Sequence, residues 1–167
     1  MNILLVLDAA VDAVDAVEIS KSFMNAAPRG TRVFTIHRCS IPAVLSHDLN
    51  AVRWDTDTPP YVIILPVPAN ENELTPGELK PIARLAMRDS ATLLALFAPR
   101  PAGKELPSTS LEELISGVAP TSFLVHGADL QDADFVSALV RLSGFGMFGR
   151  YRWMDKQIFH VSRSHAL

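Results

Sequence analysis

Tyr61-Val62-Ile63-Ile64-Leu65-Pro66-Val67, entered through Pro59-Pro60, is apolar from end to end and too short for a buried helix. A strand that is apolar at every position must be covered on both faces, and helices packed on both sides of a parallel sheet supply that cover. Four further runs have the same character: Ile3–Leu7, Val33–Ile36, Leu93–Ala98 and Phe123–Val125. Between them lie stretches with helical spacing. The first is expected over Val11–Asn25, with Val11, Val14, Val17 and Phe23 on its inner stripe. The second is expected over Ala43–Val52, opened by Pro42. A third starts at Thr75, where Thr75-Pro76-Gly77-Glu78 has capping-box spacing, and turns Leu79, Ile82, Ala83 and Ala86 inward. A fourth is expected over Leu111–Val118 with Ser110 as cap, and a fifth from Asp132 to Leu142 that buries Phe135, Leu139 and Leu142.

The expected fold is therefore α/β: a doubly wound, five-stranded parallel sheet in flavodoxin-like order 2-1-3-4-5. The Rossmann order fits the same alternation. Residues 1–143 form this domain, and residues 144–167 add a glycine-rich connector and a β-hairpin to it. The hairpin strands are Arg150–Met154 and Gln157–Arg163, joined at Asp155-Lys156, which lacks the Gly or Asn that favours tight turns.

A chain of 167 residues with net charge −3 is most simply one domain, and it offers no global electrostatic reason to bind nucleic acid or an anionic membrane. One cysteine, Cys39, allows no internal disulfide and suits a reducing compartment. Asp8 ends the first apolar run before it reaches signal-peptide length, and no run reaches the ~20 apolar residues of a membrane helix. A cytoplasmic location and no membrane partner are expected.

The stretch Leu111–Leu142, LEELISGVAPTSFLVHGADLQDADFVSALVRL, and the proline-led strand Pro60–Leu65 resemble the receiver domain of two-component signalling. Over residues 2–143 the element order is similar too. The resemblance implies an acidic pair after the first strand for Mg²⁺ and an acceptor aspartate after the third. It also implies a hydroxyl after the fourth and a Lys-Pro pair after the fifth. Here Leu7-Asp8, Pro66, Phe97 and His126-Gly127 stand at those places. One acid remains, and Pro66 has no nucleophile. The resemblance thus implies a pseudo-receiver that cannot be phosphorylated and acts through protein contacts as a homodimer with a further, unidentified protein partner. The face made by Leu111–Leu142 would carry those contacts.

Ligands of open α/β sheets bind beyond the carboxyl ends of the strands. Asp8, His37, Cys39, Pro66, Asn70, Phe97 and His126 are the candidate pocket there, with Arg38 and Arg100 nearby. This edge supports an alternative reading, a small-molecule-binding protein or enzyme. A thiolate at Cys39, activated by His37 or His126 with Asp8 orienting the ring, is its chemical form. The ordinary alternative is that Cys39 packs as a small apolar residue and His37 is solvated. No His-x-x-x-His or Cys-x-x-Cys spacing points to a metal, and no catalytic residue or cofactor is assigned.

Gly144-Phe145-Gly146-Met147-Phe148-Gly149 has the letters of a dinucleotide motif but leaves a helix and enters a strand, the reverse of what pyrophosphate binding needs. In the hairpin, Arg150, Arg152, Lys156 and Arg163 alternate with aromatics, a pattern that can bind single-stranded nucleic acid. Packing or dimerisation is the preferred reading, with Phe145, Phe148, Tyr151, Trp153 and Phe159 as interface candidates. Asp12, Asp15 and Glu18 read as a solvated helix face beside Lys21, Trp54 as a partly buried anchor, and Arg84 and Arg88 as solubilising charges.

Overall fold

The computed structural model describes residues 1–38, 41–54, 60–68, 73–99 and 109–161. The elements in chain order are β1 (Asn2–Asp8), α1 (Ala13–Ala26), β2 (Arg32–Arg38), α2 (Pro42–Asn50), β3 (Tyr61–Pro66) and α3 (Pro76–Arg88). They continue with β4 (Thr92–Phe97), α4 (Ser110–Val118), β5 (Phe123–His126), α5 (Ala133–Phe145), β6 (Gly149–Met154) and β7 (Gln157–His160). The seven described strands join one sheet in the order β2-β1-β3-β4-β5-β6-β7. The expected doubly wound order 2-1-3-4-5 is present, and β6 pairs parallel with β5 while β7 returns antiparallel. The terminal hairpin is therefore part of the main sheet. Its first strand is a sixth parallel strand that α5 crosses over to reach.

The uninterrupted apolar runs are explained by strand alternation. Leu4, Val6, Ile63, Leu65, Leu93, Ala95 and Leu124 belong to the core under α2, α3 and α4. Their neighbours Ile3, Leu5, Leu7, Val62, Ile64, Leu94 and Val125 belong to a second core under α1 and α5. No described helix is long and apolar enough to cross a membrane.

Val11, just ahead of α1, and Phe23 within it keep their expected places against the core, but the helix turns Val14 and Val17 outward. Val14 and Val17 are 71% and 50% exposed, whereas Ala16 and Phe23 are buried, with Ile19 and Ala26 packed beside them. The helix is apolar on two sides, so periodicity alone cannot choose a face. The side that won buries the large Phe23 ring and uses Ala16 to approach the sheet closely. The burial of such a ring is worth about 3–5 kcal/mol by truncation.

Smaller differences lie at helix ends. α4 is capped by Thr109, whose Oγ1 accepts from the Glu112 N–H at 3.1 Å, and not by Ser110. α5 runs through Gly144 to Phe145, shortening the connector. The Asp155-Lys156 turn forms, with both residues at positive φ (51° and 59°), as a two-residue turn matched to strand twist requires. Arg163 lies outside the described residues.

Candidate functional site

Among the described residues, two buried ionic clusters and an open cleft stand at the carboxyl edge and its surroundings. The first cluster begins with register: Asp8 and Arg38 end the paired strands β1 and β2 opposite one another. Arg38 is almost fully buried. Its Nη2 donates to Asp8 Oδ2 at 3.0 Å, and its Nη1 donates to Glu78 Oε1 at 3.2 Å. Asp8 Oδ1 accepts the Ala10 N–H at 2.9 Å. Glu78 Oε2 accepts from the Thr75 N–H at 2.9 Å, the expected capping-box contact, so one carboxylate both starts α3 and neutralises Arg38.

The second cluster lies under α4. His126, at the end of β5, stacks on Phe97 with ring centroids 4.7 Å apart and planes 17° from parallel. Its Nε2 is 3.0 Å from Glu112 Oε1, and Arg150 Nε from β6 is 3.2 Å from Glu112 Oε2. Glu112 and His126 are both about 2% exposed in their side chains. Glu112 sits in the first turn of α4, where the helix dipole favours a carboxylate. It ties three elements together: α4, β5 and the hairpin.

The cleft opens on the other face of the sheet. It has a volume of about 780 Å³ and lies between α1, the ends of β3 and β4, and the 127–132 loop that leads into α5. Among the described members of the sequence-derived pocket, Pro66 is the one that lines it. Asp8 is turned to Arg38, while Phe97 and His126 are buried beneath α4. His37 is exposed, its Nδ1 3.5 Å from the Asp8 carbonyl. Cys39, Asn70 and Arg100 lie outside the described residues. Among the described residues, no three His, Cys, Asp or Glu side chains are grouped to hold a metal ion.

The hairpin aromatics separate by alternation. Tyr151 is buried, its hydroxyl donates to the Met147 carbonyl, and its ring lies 5.6 Å from Phe123. Burial pushes the Tyr151 phenol above its ordinary range. Trp153 packs edge-on against Phe135 at 5.4 Å. The arginines of β6 occupy the opposite face, where Arg150 meets Glu112. Tyr151 and Trp153 are thus spent on the α5 core, which removes them as stacking platforms. Phe148 and Phe159 are 53% and 41% exposed. The side chain of Phe145 lies outside the described residues.

Away from this edge, Arg88 is more than a solubilising charge. It donates to the Asn50 and Val52 carbonyls at 3.2 and 2.9 Å and to Asp89 Oδ2 at 2.6 Å. Trp54 stacks on Tyr61 at 4.8 Å and donates from Nε1 to Asp89 at 2.8 Å, which makes it the partly buried anchor its position implied.

Sequence reasoning passed over Glu112 and the pairing of Asp8 with Arg38. The Asp8–Arg38 contact joins residues 30 positions apart, and no spacing rule reaches across such a gap. One local signal existed: Glu112 stands in the inward stripe of α4, between Leu111 and Ile115. Comparison with protein-family models, with curated proteins and with solved structures finds no match.

Proposed function

We propose that this chain is a pseudo-receiver-like regulatory module of the cytoplasm that acts in signalling through protein contacts, without phosphotransfer. One observation carries the reading: Asp8, the acid left at the edge where such chemistry would occur, has both oxygens engaged, one by Arg38 and one by the Ala10 amide. A carboxylate held in that way is poorly placed to ligate Mg²⁺, a hard cation that needs free oxygen ligands. Pro66 at the end of β3 and Phe97 at the end of β4 add no nucleophile and no hydroxyl. In this reading the scaffold signals by shape, as a homodimer with a further protein partner. The exposed Phe148, Met154 and Phe159 support a contact surface on the hairpin side.

The test is incubation with acetyl phosphate and Mg²⁺, followed by intact mass and tryptophan fluorescence. Unchanged mass and emission are expected. Stoichiometric phosphorylation would sink the reading. Sedimentation at rising concentration checks the dimer.

A second reading, a small-molecule-binding protein, is favoured by the cleft beside Pro66. Its volume falls within the several-hundred Å³ range of ligand sites, and it sits at the edge where α/β sheets bind ligands.

A further inference from the structure

The cleft combines an apolar floor with a carboxylate rim. Pro66, Val67 and Leu96 contribute hydrocarbon from the strand ends, while Asp15 and Glu18 on α1 and Asp129 on the opposite loop supply negative charge. We infer that this cleft binds a small organic cation, an ammonium, amidinium or guanidinium group carried on a hydrocarbon body. The inference rests on the second reading above and names the ligand class for it.

Anions are turned away by the way this edge is built. Helix N-termini facing such an edge ordinarily attract phosphate or carboxylate through free N–H groups and the helix dipole. Here the chain's own carboxylates take one of those donors at each helix start and add negative charge beside the rest. Asp12 Oδ1 accepts the Asp15 N–H at 2.8 Å at the start of α1, and Asp132 Oδ1 accepts the Asp134 N–H at 2.9 Å at the start of α5. Asp129 Oδ1 accepts the Gln131 N–H at 3.0 Å in the loop between. Pro66 brings no N–H to the floor. The basic residue among the described lining residues, Lys21, lies 3.8 Å from Glu18 and is balanced by it.

Bare metal ions are a poor fit, because no three carboxylates are grouped closely enough among the described residues. What remains is a site that offers acceptors at its rim and desolvation at its floor. A ligand with donors at one end and hydrocarbon at the other meets both. Asp15 on α1 and Asp129 on the loop before α5 both line the cleft, so a cationic head bound there meets acceptors supplied by two separate elements.

Saturation-transfer NMR and calorimetry on the full chain at low salt test this with benzamidine and phenethylamine, against benzyl alcohol, benzoate and adenosine monophosphate. Both cations are expected to bind with a Kd of about 1 mM, ordinary for molecules so small. Benzyl alcohol should bind about tenfold more weakly and the two anions not at all. Asp15→Asn and Asp129→Asn should each weaken benzamidine about threefold to fivefold, the scale of an exposed charge contact. The amide oxygen introduced by Asp129→Asn retains the acceptor that the loop turn needs, and unchanged thermal melts exclude unfolding. Added salt should weaken binding further. Benzoate or the nucleotide binding as well as benzamidine overturns the cation assignment and leaves the small-molecule reading standing. Binding indifferent to both variants overturns the assignment of the cleft. No binding by any of the five overturns the inference and the second reading together.

Discussion

Arg38 Nη2 lies 3.0 Å from Asp8 Oδ2 while Nη1 of the same guanidinium lies 3.2 Å from Glu78 Oε1, so one buried cation joins the ends of two strands to the start of α3. The two acids differ in exposure. The Glu78 side chain is 6% exposed and that of Asp8 is 33% exposed. Removal of the cation leaves Glu78 without its counter-charge in a place water barely reaches. Arg38→Leu is therefore expected to lose about 3–5 kcal/mol of stability, the scale of a buried pair broken from one side. Asp8→Asn should lose about 1 kcal/mol or less, because solvent screens it. Urea unfolding of the two variants checks the order. Equal losses would mean that Arg38 is not buried between the acids as described.

Gly127 has φ +79°, and a Cβ built on it would stand 2.8 Å from the Trp153 carbonyl oxygen. The backbone turn after β5 and the close approach of the hairpin both require glycine. Gly127→Ala should destabilise by about 1–3 kcal/mol, from the left-handed backbone and the displaced carbonyl together. Amide exchange should quicken first in β6 and β7. Unaltered hairpin protection would argue that β6 does not pass this close to β5.

The turn residues Asp155 and Lys156 both adopt positive φ without being glycine. That conformation is strained for lysine above all, and an Asn-Gly pair relieves it. The pair of substitutions Asp155→Asn with Lys156→Gly should raise stability by about 0.5–1 kcal/mol, less whatever the exposed contact between Lys156 and Asp134 contributes. Thermal melts of the double variant and of Lys156→Gly alone measure it.

Asp89 accepts from Arg88 and from the Trp54 indole. The Arg88 hydrogen bond, ahead of the opposing effect of burial, holds its carboxyl below the ordinary range. A depressed folded value means that the folded state favours the ionised form. Its contribution to stability is fully present above the unfolded carboxyl value of about 3.9 and is lost as pH falls through the lower folded value. Trp54 should report the step directly. An acid titration of fluorescence should show a transition below pH about 3.9 that Asp89→Asn removes. A transition that survives the substitution would assign it to another group.

Much of the architecture was legible in local pattern. Tyr61–Val67 read as a strand covered on both faces because every position was apolar, and alternate residues do enter the two cores. Thr75 and Glu78 read as a cap because the contact spans one helical turn. Asp155-Lys156 was legible for the same reason, since a hairpin turn is a contact between near neighbours. In α1 the pattern places Phe23 correctly but not Val14 and Val17, because they suit an apolar stripe as well as Ala16 and Ile19 do. Only the sheet beneath decides which stripe is covered.

The sequence by itself determined the element order, the doubly wound sheet and the absence of an aspartate at Pro66, all properties of neighbours within a turn or a strand. The tertiary structure alone decided that Asp8 belongs to Arg38, that Glu112 joins His126 to Arg150, and that β6 becomes a sixth parallel strand. It also decided that the open cleft lies on the α1 side, away from most of the edge residues the sequence singled out. The reason is physical: a charge buried by folding takes whichever opposite charge the packed strands and helices bring within about 3–4 Å, and sequence separation carries no record of that distance.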